Sequence, residues 1–126
     1  MKTQKTVLLV EDDESFRESV KKLLEKENLR VFEASSGEEA IEILKTDRMI
    51  DLVLLDLYLE GMTGMEFLAR TQSVDRPPVI MLTAFGDWGI YTDAVAKGAL
   101  DCLPKPIKRY DLLTVIKKVF ETQECA

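Results

Sequence analysis

Histidine is absent from all 126 residues. That removes Ser-His-Asp and Cys-His catalysis, and most zinc sites, which depend on imidazole as base or ligand. Cysteine is scarce: Cys102 lies in a strand-like segment and Cys125 at the chain end, so free thiols are expected rather than a disulfide. No apolar run approaches the roughly 18–20 residues that cross a bilayer. Met1 to Thr6 is polar and runs straight into a strand-like stretch, without the pattern of a signal peptide. A cytoplasmic protein with no membrane partner is expected. Positive charge is also short, with 17 Lys and Arg against 23 Asp and Glu and a formal charge of −6. Proteins that neutralise nucleic-acid phosphates need the opposite, so no nucleic acid is expected to bind this chain directly. Carboxylates, hydroxyls, lysine and backbone remain for chemistry, with a place for a hard, oxygen-preferring metal.

What is present suits a globular domain: hydrophobic residues make up 46% and charged residues 32%. The length predicts a single domain over 1–126, with its core from about 5 to 121. The apolar pattern alternates between two periods. Val7-Leu8-Leu9-Val10, Leu52-Val53-Leu54-Leu55 and Val79-Ile80-Met81-Leu82 are continuous runs, as in strands covered on both faces. Leu29 to Glu33 carries charges inside a weaker run and suits an edge strand, and Ala99 to Leu103 supplies a fifth. Phe16, Val20, Leu23 and Leu24 follow the first run at helical spacing. Further helices are predicted from Ser36-Gly37, after Gly64, from about Gly86 to Lys97 with Gly98 as its left-handed cap, and through Leu112, Ile116, Val119 and Phe120. Five strands alternating with five helices imply an α/β fold, a three-layer (βα)5 doubly wound parallel sheet with right-handed crossovers.

Ligands of such sheets bind beyond the carboxyl ends of the strands, where strand order reverses. The first run is followed by Glu11, Asp12, Asp13 and Glu14, the third by Asp56, the fourth by Thr83, and the fifth, one proline later, by Lys105. In the flavodoxin-like order 2-1-3-4-5, Glu11 or Asp12 stands beside Asp56, with Thr83 and Lys105 converging from the other side. Gathered carboxylates repel unless a cation joins them, and Mg²⁺ suits an all-oxygen site that also meets phosphate. A carboxylate beside Mg²⁺, a lysine and a hydroxyl is equipped to accept a phosphoryl group. Taken singly, each feature has a plainer explanation. The acidic run can cap the next helix, above all at Glu14; Thr83 can be a strand-end hydroxyl and Lys105 surface charge; Gly61, Gly64 and Gly98 read as backbone punctuation. Only the joint placement lifts Thr83 and Lys105 above these explanations, whereas Asp56, a carboxylate straight after four buried residues, already points to chemistry.

Val10-Glu11-Asp12-Asp13 with Arg17, Asp56-Leu57, Gly61 and Gly64, Thr83-Ala84, Gly98-Ala99 and Pro104-Lys105-Pro106 together resemble the receiver domains of two-component response regulators, over about Lys5 to Glu121. The resemblance implies that Asp56 is the phosphoacceptor and that Glu11 and Asp12 position Mg²⁺, with Asp13 a rival for one of those places. It implies the Tyr58 backbone carbonyl as a further metal ligand, Thr83 and Lys105 on phosphoryl oxygens, and a cis peptide between Lys105 and Pro106. It implies a sensor histidine kinase as donor, and output through the fourth helix, fifth strand and fifth helix, toward a second copy or a downstream protein. Such a domain is a regulatory phosphoacceptor rather than an enzyme. Trp88 is placed near the helix expected to move.

Three positions depart from the family pattern. Cys102 stands where an aromatic is common, which shifts the expected switch toward the loop after Thr83. Glu60 replaces a frequent proline. Tyr58 and Phe85 are bulky where hydrolytic water approaches, so slow loss of the phosphoryl group is expected. Two rival functions fit less well. A Mg²⁺ phosphohydrolase needs a second acid where Tyr58 stands, and a flavin or nucleotide module needs a glycine-rich loop where four acids follow the first strand.

Overall fold

The computed structural model describes residues 4–46, 49–72, 76–84 and 88–125, and within these no side chains at 88, 90, 91 and 122–125. The three continuous apolar runs form β1 (Thr6–Val10), β3 (Leu52–Asp56) and β4 (Val79–Thr83), buried at every position. Because successive strand side chains point to opposite faces, each run feeds two cores. Leu8, Val10, Val53, Leu55, Val79 and Met81 pack on one side with Ala40, Phe67, Leu68 and Ala94. Val7, Leu9, Leu52, Leu54, Ile80 and Leu82 pack on the other with Val20, Leu24, Leu112, Ile116 and Val119. Two strands, β2 (Arg30–Ala34) and β5 (Asp101–Pro104), flank the three, and the order is β2-β1-β3-β4-β5, parallel throughout. Helices α1 (Glu14–Lys26) and α5 (Arg109–Cys125) therefore cover one face, and α2 (Gly37–Thr46), α3 (Gly64–Arg70) and α4 (Trp88–Ala96) the other. This is the doubly wound, flavodoxin-like sheet expected from the sequence, with its switch point between β1 and β3.

Two strands begin later than the apolar pattern suggests, each because a helix cap uses the residue in front. Leu29 N–H closes onto Leu24 O at 3.2 Å after Asn28 turns to φ 62°, so β2 starts at Arg30. Ala99 N–H closes onto Ala94 O at 2.9 Å, and β5 starts at Asp101. The predicted start of the fourth helix at Gly86 lies outside the described residues, as does Phe85. Other helix starts follow local chemistry: Asp13 caps α1 by accepting from Phe16 N–H, and Thr63 with Glu66 forms a reciprocal capping box on α3.

Gly98 carries more than a turn. Its φ is +105°, and a methyl added there would run into the Arg76 guanidinium. That guanidinium donates to Leu68 O at 2.9 Å and to Thr71 Oγ1 at the end of α3, and to Lys97 O at 3.3 Å at the end of α4. One arginine thus ties the carbonyl ends of two helices together. Gly98→Ala is expected to cost about 2 kcal/mol in urea unfolding, since backbone strain and displacement of Arg76 act together. A loss below about 0.5 kcal/mol would mean that the loop yields freely.

Candidate functional site

The register pairs Val10 with Leu55, so the next residues along, Glu11 and Asp56, emerge side by side at the carboxyl ends of β1 and β3. Leucine runs force both into the interior: Glu11 is 1% exposed and Asp56 4%. Carboxylate oxygens of Glu11, Asp12 and Asp56 lie within 4.8 Å of one another. Lys105, delivered by the segment after β5, places Nζ 2.8 Å from Glu11 Oε1 and 3.3 Å from Asp56 Oδ1. The Lys105–Pro106 peptide is cis. Thr83, also buried, ends β4 one residue beyond Leu82, the strand partner of Asp56. Tyr58 main chain is tied back to the site, its N–H reaching Asp56 Oδ1 at 3.4 Å.

Asp13, the rival ligand, turns its carboxylate to Phe16 N–H at 3.1 Å instead of to the cluster. Its own N–H donates to Glu11 Oε2 at 3.0 Å. Asp12 Oδ2 accepts from Glu60 N–H at 3.0 Å, which pulls the loop after β3 onto the loop after β1. Gly64 is more than punctuation. An added Cβ would sit 2.8 Å from the Asp56 carbonyl oxygen, so a side chain there would push α3 off the site.

Two further contacts brace the site in ways that residue type does not announce. The Phe16 ring lies 4.3 Å from Lys105 Nζ, a cation–π wall on the ammonium. In the sequence Phe16 reads only as part of the helix core stripe. Arg17 donates to the Glu11 carbonyl oxygen at 2.8 Å.

Two buried carboxylates of the cluster face one ammonium, and the electrostatics follow. Burial pushes the Glu11 carboxyl up to about 7, against the hydrogen bonds from Lys105 and Asp13 N–H that pull it down, with the Asp56 charge adding to the rise. Burial works to lower the Lys105 pKa, but the Glu11 hydrogen bond and the Asp56 charge outweigh it and raise it above the ordinary lysine value. The donor set is all oxygen, rich in negative charge and open through half-exposed Asp12, which fits a hydrated Mg²⁺. Asp12, Asp56 and Glu11 could hold it. Cys102, half-buried in β5, is a thiol pushed up by burial and by Asp101.

A family model for the response regulator receiver domain matches residues 7–117. The chain belongs to that family. Among curated relatives, the transcriptional regulatory protein CpxR of Escherichia coli (strain K12) is 37% identical over 113 residues, covering 90% of this chain and 48% of that protein. The chain thus spans about half the length of such relatives. Sporulation initiation phosphotransferase F of Bacillus subtilis (strain 168) is 33% identical, covering 89% of this chain and 90% of that protein. A receiver domain from Clostridium thermocellum superposes with a TM-score of 0.88 at 28% identity, covering 96% of this chain and 98% of that one. A CheX–CheY–BeF3–Mg²⁺ complex from Borrelia burgdorferi gives 0.85 at 28% identity, covering 92% and 89%. As a receiver domain, the chain is a regulatory module of two-component signalling; receiver domains bind Mg²⁺ at an acidic pocket, and this chain carries a cluster of Glu11, Asp12 and Asp56.

Proposed function

We propose that this receiver domain is a cytoplasmic, phosphorylation-dependent switch that takes a phosphoryl group from a sensor histidine kinase onto Asp56. The observation that carries this reading is the burial of Asp56 between two further carboxylates and the Lys105 ammonium at 3.3 Å. In the transfer, a carboxylate oxygen of Asp56 forms a bond to phosphorus while the bond to the donor imidazole nitrogen breaks, its electron pair leaving with the ring. Bound Mg²⁺ would supply charge neutralisation on the phosphoryl oxygens. Glu11, Asp12, Asp56 and the Tyr58 carbonyl are its proposed protein ligands. Lys105 is poised to leave Glu11 for a phosphoryl oxygen, and Thr83 to donate its hydroxyl to another. The acyl phosphate is then lost slowly to water, with Tyr58, 54% exposed, obstructing the approach.

The added charge, about −1.5 to −2, biases two packings of α4, β5 and α5. A near-complete switch requires a bias of about 5 kcal/mol. Val95, Leu100 and Tyr110 are large apolar residues exposed on these elements and their joining segment, which supports an output face for a second copy or a downstream protein. Incubation with acetyl phosphate and Mg²⁺ is expected to add one phosphoryl group by intact mass, and EDTA to abolish the gain. A gain of equal rate and extent in EDTA would sink the metal-dependent reading.

A further inference from the structure

The proposed metal loop is supported from outside the sheet ladder. Glu11 and Asp12 lie beyond the last β1 ladder residue, so strand pairing does not fix the peptide that joins them. Glu11 N–H is held by Ala34 O at 3.0 Å. Its carbonyl is held by Arg17 Nη1 at 2.8 Å. Arg17 is fixed in turn, because its Nε meets Glu33 Oε1 on the edge strand β2 at 3.2 Å. The other oxygen of Glu33 meets Lys21 Nζ at 3.2 Å. Burial pushes the Glu33 carboxyl up, but Lys21 and Arg17 outweigh it and hold it low, so the anchor stays ionised near neutrality. Arg17 is 18% exposed and Glu33 32%, which shields the pair from much of the solvent screening that weakens surface bridges.

We propose that Arg17 is a positioning residue for the metal site: braced by Glu33, it fixes the Glu11–Asp12 peptide and so aims both carboxylates for Mg²⁺. This rests on the reading of Glu11 and Asp12 as metal ligands. Charge alone predicts the opposite behaviour. A guanidinium beside a cation site repels the cation, so its removal ought to tighten binding. Positioning predicts that its removal loosens binding, because carboxylates on an unpinned peptide must be ordered when the ion arrives. Partners that orient metal ligands typically govern affinity by about 10- to 100-fold.

The test is calorimetric titration of Mg²⁺ into the full chain, beside urea unfolding with and without the ion. Arg17→Ala is expected to weaken Mg²⁺ binding about 10-fold. Its unfolding midpoint should fall further below wild type in Mg²⁺ than in EDTA. Glu33→Gln, which leaves Arg17 in place but loosens its brace, is expected to weaken binding by about 3-fold and covers the case in which Arg17→Ala does not fold. Unchanged or tighter binding in both variants, with equal stability losses in both media, would overturn the proposal and reduce Arg17 to a structural bridge. Asp12→Asn separates the two levels. If it leaves Mg²⁺ binding unchanged, the metal-site reading fails and the proposal with it. If it abolishes binding while the Arg17 and Glu33 variants match wild type, the positioning role alone fails.

Discussion

Asp56→Asn is expected to take up no phosphoryl group under conditions that modify the wild type fully, while keeping the fold. The amide oxygen carries no negative charge and the nitrogen lone pair is delocalised, so no nucleophile remains at the position. The fold survives because the replacement is isosteric at a site 4% exposed. Its carbonyl can still accept from Tyr58 N–H, which reaches Asp56 Oδ1 at 3.4 Å in the parent. The main chain at 56 is also held independently of the side chain, through the close approach of Gly64. Intact mass gives the primary readout, with circular dichroism as the control for folding. The informative failure is a variant that still gains mass. Peptide mapping would then place the group on Asp12 or Asp13, and the acceptor would have been misassigned among neighbouring carboxylates.

Why Asp56 was legible at all follows from the sheet. Four buried residues ending in a carboxylate can be read without coordinates, because a two-faced strand leaves no solvent for idle charge until it ends. The same logic places Glu11 and Thr83, and with strand order 2-1-3-4-5 it brings them to one rim. Residue type and exposure do not divide Asp12 from Asp13, and in the sequence only the register of Arg17, five residues after Asp12, favours Asp12. Both are exposed enough to ligate, and only the dihedral angles entering α1 turn Asp13 to Phe16 N–H as a cap. Strand boundaries at β2 and β5 were misplaced for a related reason. Apolar Leu29 and Ala99 satisfy either a strand or a helix cap, and backbone hydrogen bonding decides.

Residues that act through backbone atoms leave the weakest trace. Arg76, bridging the carbonyl ends of α3 and α4, has no carboxylate partner among the described residues whose spacing could announce it. Arg17 falls in register with the family pattern, yet its grip on the Glu11 carbonyl is a matter of distance and not of residue type. Phe16 counts toward the apolar stripe of α1, and its second role over Lys105 needs the fold to bring residue 105 back to residue 16. Sequence thus yields the groups proposed to do chemistry, and coordinates yield those that hold them still.

Lys105→Met is expected to cost the metal-free protein about 3 kcal/mol at pH 8, and much less at pH 5. Methionine keeps most of the lysine stem, so what is removed is the ammonium and its place over the Phe16 ring rather than the packing of the stem. Glu11, 1% exposed and 2.8 Å from the ammonium, then has no cation. The direction with pH follows from the Glu11 titration. Its carboxyl is raised from 4.5 to about 7 in the fold, so its contribution favours folding below 4.5 and is lost as pH rises through about 7. In the wild type the Lys105 hydrogen bond limits that loss. Without it the carboxyl rises further, and the deficit relative to wild type grows from pH 5 toward pH 8. Urea unfolding at the two pH values measures the difference. The double variant Glu11→Gln, Lys105→Met is expected to recover part of the stability at pH 8, since Glu11 no longer carries a buried charge while Asp56, 3.3 Å from the ammonium in the parent, stays without its cation. Added Mg²⁺ should do the same for Lys105→Met by replacing the lost cation. A deficit equal at both pH values, and untouched by Glu11→Gln, would mean that Lys105 supports the fold through its stem. The ammonium would then be free of structural duty in the resting state, and its place between Glu11 and Asp56 would have to be justified by phosphoryl transfer alone.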